Sequence, residues 1–109
     1  MGYYTSYKLD LDDVEQPGSI IEELRESSEG AEYALEANGD TGSSTKWYEW
    51  EEEMTEFSKK HRGVLFALSG EGEESGDIWK CYFRNGQSQL AKAEIIIAEF
   101  DPKKMNKTI

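Results

Sequence analysis

The sequence predicts an α+β open sandwich, with two helices packed on one face of a mostly antiparallel sheet of four to five strands. Three observations lead there. Trp47, Trp50, Met54 and Phe57 recur at steps of three, four and three, which places them on one stripe of a helix. Tyr3, Thr5, Tyr7, Leu9 and Leu11 alternate with Tyr4, Ser6, Lys8, Asp10 and Asp12, the period of a half-buried strand. Asn85-Gly86 joins two extended runs and accepts the positive φ angles that a two-residue hairpin turn demands. A stripe as large as the one on the helix needs a sheet to bury it.

In chain order, the first strand runs from Tyr3 to Leu11 and is broken by Asp12-Asp13 and Gln16-Pro17-Gly18. Ser19-Ile-Ile-Glu22 has the form of a capping box, so a first helix is expected from about Ile20 to Ser28, with Ile20, Ile21 and Leu24 inward. Gly30 is expected to end it. Ala31 to Ala37 suits a short strand, with Tyr33 and Leu35 inward, or a helical continuation; the strand is preferred on its residues. Asn38 to Ser44 is a loop, after which Ser44 or Thr45 caps the second helix, which extends to about Lys60 and stops at Gly63. Val64 to Ser69 is a strand, Gly70 to Gly76 an acidic loop, and Ile78 to Arg84 a second strand. The two-residue turn sets Arg84 opposite Gln87, Phe83 opposite Ser88, Cys81 opposite Leu90 and Trp79 opposite Lys92. The return strand is expected to continue to about Ile97. Its later apolar residues, Ala93, Ile95 and Ile97, then fall on the wrong face, which a bulge near Ala91 to Ala93 or a sheet apolar on both sides would reconcile. Residues 1–101 form a single domain, and residues 102–109 a loose tail. Two helices, each following an extended segment, and then a meander suggest a sandwich of ferredoxin-like kind.

Of the 109 residues 37% are hydrophobic, and three Trp, six Tyr and four Phe argue for a folded chain, since disordered chains are poor in aromatics. The formal charge is −11 and is unevenly spread: residues 1–58 hold sixteen Asp and Glu against Lys8, Arg25 and Lys46. Such a field repels phosphate backbones and anionic membranes, so direct nucleic-acid or membrane binding is not expected and basic partners are. The lone Cys81 excludes an internal disulfide and fits a reducing, cytoplasmic setting. No apolar run reaches the length of a membrane span, and the polar start reads as no signal peptide. Gly2 and Ser6 match a myristoylation pattern by chance.

Trp47 opening a helix, His61-Arg62-Gly63 closing it, Val-Leu-Phe-Ala-Leu68 as the next strand, an acidic Gly-rich loop and Tyr82-Phe-Arg-Asn-Gly86 together resemble the YubB-type ferredoxin-like proteins of phages and plasmids. The resemblance spans roughly Trp47 to Ile97, and the opening Met-Gly-Tyr-Tyr-Thr-Ser-Tyr7 is similar to that of small phage proteins. It implies a mobile-element origin and the same fold, and supplies no catalytic residues.

Acid–base or metal chemistry needs carboxylates gathered in a cleft, whereas the 23 acidic residues fall mostly on solvent-facing positions of helices and loops. Glu71, Glu73, Glu74 and Asp77 come closest to a cation loop but lack the EF-hand spacing. A single His and a single Cys cannot make a zinc site, and His61 with Cys81 is better read as a helix cap and a core residue than as a nucleophilic pair. No cofactor, metal or catalytic residue is therefore expected, and the protein is not read as an enzyme. Attention falls on the acidic surface. If Glu22, Glu26 and Glu29 of the first helix lie beside Glu49, Glu52, Glu53 and Glu56 of the second, with helices about 8–10 Å apart, their carboxylates form rows comparable to DNA phosphates. The expected function is that of a phage-type inhibitor, such as an anti-CRISPR, that mimics nucleic acid toward a basic host protein in the cytoplasm. The alternative is a structural or self-associating accessory protein, such as a homo-oligomer, using a sheet face with Tyr4, Tyr82 and Ile95-Ile96-Ile97.

Overall fold

The computed structural model describes residues 3–12, 14–41, 44–94 and 96–105. Four strands, β1 (Thr5–Asp12), β2 (Leu65–Gly72), β3 (Ile78–Arg84) and β4 (Gln87–Lys92), form one sheet in the order β1-β2-β3-β4, every neighbouring pair antiparallel. Between β1 and β2 lie three helices, α1 (Pro17–Ser27), α2 (Glu29–Ala34) and α3 (Trp50–Lys60). The expected α+β open sandwich is present, with three helices rather than two and with strands in sequential order. Its likeness to ferredoxin-like folds is therefore one of layers.

A single buried cluster shows that the helices share one face. It joins Ile21 and Leu24 of α1, Ala31 and Ala34 of α2 and Met54 and Phe57 of α3 to Tyr7, Leu9, Phe66, Leu68, Cys81 and Phe83, the inward residues of β1, β2 and β3. An aromatic chain runs through the cluster. Trp50 stacks on Trp79 with centroids 4.4 Å apart, and Tyr7 meets both Trp79 and Trp47 edge-on at 6.0 and 5.5 Å. Glycines make room for the indoles: Gly70 lies under the Trp79 ring and Gly30 against that of Trp47.

The turn and the register expected of the hairpin are both present. Asn85 and Gly86 have φ of 52° and 79°, and all four cross-strand pairs occur in the expected register. The turn is also anchored from outside, because the buried Ser58 hydroxyl accepts the Gly86 amide at 2.8 Å and the Asn85 side chain accepts the Gly63 amide at 2.9 Å.

Elsewhere the boundaries move. Helix α1 starts at Pro17, whose fixed φ suits the first helical position, so the Ser19–Glu22 capping box does not form. Gly30 does not end a helix: the chain breaks at extended Ser28, whose hydroxyl accepts the Ala31 amide at 3.1 Å and caps α2. Of the short strand preferred for Ala31–Ala37, Ala31–Ala34 is instead helix, the alternative those residues also suit, which turns Tyr33 outward, 61% exposed, while the extended Leu35 is buried and bridges to Thr41. Helix α3 begins at Trp50 instead of following Ser44 or Thr45, because Thr45 pairs with Thr5 through two 3.0 Å backbone bonds. That pairing delivers Trp47 to the core from a loop. Strand β2 runs on to Gly72, taking the first residues of the expected acidic loop.

Strand β4 stops at Lys92, so neither a bulge nor a doubly apolar sheet is needed, and Ile96 and Ile97 stand in solvent. Ile95 lies outside the described residues, as do Gly2 and the last four residues of the expected tail. Pro102–Lys104 form one 3-10 turn, capped by the Asp101 carboxylate accepting the Lys103 amide at 3.0 Å.

Candidate functional site

Helix α3 presents its acids by period. Burying Met54, Phe57 and Ser58 leaves Glu51, Glu52 and Glu56 exposed, and Glu49 precedes the first turn in solvent. Glu51, Glu52 and Glu53 sit in that first turn, where the positive end of the helix dipole offsets their mutual repulsion. Lys59 and Lys60 occupy the opposite end. Lys59 pairs with Glu56 at 2.6 Å, an exposed contact worth little in water.

Glu53 is different in kind. It is half-buried and accepts a short hydrogen bond from the Ser28 hydroxyl, the same oxygen that caps α2. One carboxylate thereby fixes α2 against α3, which brings Glu29, in the first turn of α2, to the α3 side. Glu29, Glu49 and Glu53 line one groove of about 310 Å³ together with Tyr33, Tyr48 and the edge of Trp47. Glu52, Glu53 and Glu56 line a second of about 310 Å³ between α1 and α3, floored by Leu24 and Phe57. Glu53 belongs to both. Five of the seven expected residues therefore border one continuous acidic rim.

The remaining two lie apart. Glu22 grips Arg25 through two bonds of 3.1 and 2.9 Å, and the Arg25 Nε donates to the Leu35 carbonyl at 2.9 Å. Glu22 and Glu26 share a separate concavity with Arg25 and Glu32. The α1 carboxylate that does reach α3 is Glu23, 3.0 Å from His61 at the helix end. Periodicity placed Glu23 and Glu26 in solvent correctly, while Glu22 is half-buried against Arg25, and it could not show which way that face turned relative to α3.

Two aromatic residues outside the expected site flank the first groove, the exposed Tyr48 and Tyr33, the latter expected to face inward. Tyr33 could be found only by knowing that α2 is a helix. Beneath them Trp47 is buried and its indole N–H has no acceptor among the described residues.

The other candidates separate. Cys81 is wholly buried in the sheet core, and burial, with the Glu51 carboxylate nearby, pushes its thiol up to about 11. His61 is occupied by Glu23, so the two do not form a nucleophilic pair. A thiol so placed resists alkylation at pH 8 in the folded protein and reacts once urea unfolds it; rapid labelling of native protein by iodoacetamide would contradict this placement. The sign of the linkage follows. Between about pH 9 and 11 the unfolded thiol ionises while the folded one stays protonated, so stability falls across that window by at most about 1.4 kcal/mol per pH unit.

In the acidic loop before β3, the Tyr3 hydroxyl donates to Asp77 at 2.6 Å and accepts the Glu74 amide at 2.9 Å, and Glu73 accepts the Tyr4 amide at 3.0 Å. The hydrogen bond to Asp77 holds the Tyr3 phenol above its ordinary value. These carboxylates pin the start of β1 to the sheet. Among the described residues, no three of His, Cys, Asp and Glu converge in a way that would hold a metal ion, and no helix is long and apolar enough to cross a membrane.

Comparisons with protein-family models, with curated proteins and with solved structures find no match, so the acidic rim and the fold that gathers it carry the functional argument.

Proposed function

We propose that this is a non-enzymatic binding protein whose acidic helical face occupies the nucleic-acid-binding surface of a basic partner and so inhibits it. The observation that carries the reading is the shared rim of Glu29, Glu49, Glu52, Glu53 and Glu56 around two adjoining grooves. Carboxylates in rows on a rigid layer present what a phosphate backbone presents to Lys and Arg. Tyr33 and Tyr48 add faces on which a guanidinium stacks. Glu22 and Glu26 extend the negative field around α1 without joining the rim. The resemblance to phage and plasmid proteins makes an anti-defence inhibitor acting in the host cytoplasm, such as an anti-CRISPR, the form proposed. A self-associating role rests on other residues, those of the β4 edge.

The test spares Glu53, whose loss would break the tie between Ser28, the cap of α2, and α3. Wild type and a Glu49→Lys, Glu52→Lys, Glu56→Lys variant serve as parallel baits for host lysate at low salt, followed by a wash at about 1 M salt, where the Debye length falls to about 3 Å. Nucleic-acid-binding proteins held by wild type, lost from the variant and released by salt are the expected outcome. Equal capture by a variant with native circular dichroism would refute the proposal.

A further inference from the structure

The two edges of the sheet are treated differently. The outer edge of β1 is covered from Thr5 to Leu9: Thr5 exchanges both backbone bonds with Thr45, the Leu9 amide donates to the Gly39 carbonyl at 2.7 Å, and the Thr41 hydroxyl donates to the Tyr7 carbonyl at 2.7 Å. The outer edge of β4 is open. The two-residue turn and the 2.8 Å bond from the Ala93 amide to the Ile78 carbonyl show that Gln87, Gln89, Ala91 and Ala93 bond inward to β3. The amides and carbonyls of Ser88, Leu90 and Lys92 therefore point outward, and nothing among the described residues meets them. Proteins ordinarily guard such an edge with charge, proline or a bulge, and β4 has no proline, no bulge and one lysine. In a chain with 23 acidic residues, its sequence Gln-Ser-Gln-Leu-Ala-Lys contains none.

We infer that β4 is the interface of a two-fold symmetric dimer, in which two β4 strands pair antiparallel about Leu90 to join the two sheets. The partner is a second copy because the strand is complementary to itself. With the axis at Leu90, each Leu90 exchanges two bonds with its mate, and Ser88 and Lys92 of each copy exchange two with Lys92 and Ser88 of the other. All the outward groups are satisfied. The Leu90 side chains, 45% exposed in the single chain, meet at the axis.

The segment after β4 points the same way. The radius of gyration is 17.6 Å, against about 13 Å for a compact chain of this size, and Ile96 and Ile97 are 83% and 84% exposed on an arm that leaves the domain. In the paired arrangement each arm continues past the other copy's turn, where a concavity of about 500 Å³ is lined by Leu65, Tyr82 and Arg84. Closure of the β1 edge stops growth at two.

Helix α3 lies over β3 and β4, and Glu51, Glu52 and Glu56 border Ser88, so pairing brings the acidic rims of the two copies together. Salt consequently strengthens this contact, the reverse of its effect on a basic partner. Sedimentation velocity from about 1 to 100 µM protein, at low and at high salt, tests it. The expected result is a concentration-dependent dimer of twice 12.4 kDa, tighter at high salt. Leu90→Pro removes an outward N–H and leaves the inward ladder intact, which an edge strand tolerates. It should weaken association on the order of a hundredfold, since two symmetric bonds are lost, while near-UV circular dichroism stays native. Should Leu90→Pro misfold, Leu90→Lys, which sets like charges at the axis, is read instead. A wild type that stays monomeric at high salt, a dimer that survives both substitutions, or open-ended assembly would each overturn the inference.

Discussion

Phe83→Ala should lower the unfolding free energy by about 3–5 kcal/mol, a large part of the roughly 5–15 kcal/mol typical of a domain this size. The ring is fully buried, opposite Phe66 in the sheet and edge-on to Trp50 at 6.2 Å. Its neighbours belong to different layers, α3 above and β2 beside, so no single side chain can collapse into the space left. Urea denaturation reads the effect directly. A loss below about 1 kcal/mol would mean that Trp50 and Trp79 repack across the gap, and that the aromatic chain is looser than its geometry.

Gly30→Ala should destabilise the protein by about 1–3 kcal/mol, although alanine is the better helix former by up to about 1 kcal/mol. Propensity loses here because the added methyl would stand inside the contact radius of the Trp47 ring, which is itself buried and cannot swing away. Gly18→Ala is the matched control. Gly18 also lies in the first turn of a helix, and nothing is within 4 Å of the position its Cβ would take. That substitution should be neutral or stabilising by up to about 1 kcal/mol. Equal and favourable effects at both sites would show that Trp47 does not pack on α2.

The same glycine explains what the sequence could and could not disclose. Gly30 has the form of a helix stop, and only the approach of Trp47, seventeen positions later, gives it another reason to be glycine. Helix α2 has six residues, too few for a 3.6-residue period to outweigh strand propensity in Ala31–Ala37. By contrast, the β3–β4 register was fully legible, because a two-residue turn leaves no freedom in pairing. Ile95-Ile96-Ile97 misled for the opposite reason: β propensity describes fit to a pleated, half-buried surface, and beyond Lys92 the single chain offers no such surface. At the candidate site, helical period put Glu49, Glu52 and Glu56 in solvent. The Ser28–Glu53 contact that gathers them with Glu29 is tertiary and left no local trace. The Glu22–Arg25 pair, by contrast, lies three residues apart on one helix and was open to a reading by spacing.

Strand β1 precedes the other three strands in the chain, and its partner in the sheet is β2, beyond all three helices. The β2-β3-β4 meander closes through short connections, whereas β1 must wait until residues 13–64 have been threaded and the loop that joins it to β2 is closed. The earliest of the four strands is thus the last to find its place. Until it does, β2 displays an unpaired inner edge with Phe66 and Leu68 uncovered on one side, and the nascent chain is most exposed to misassociation at that moment.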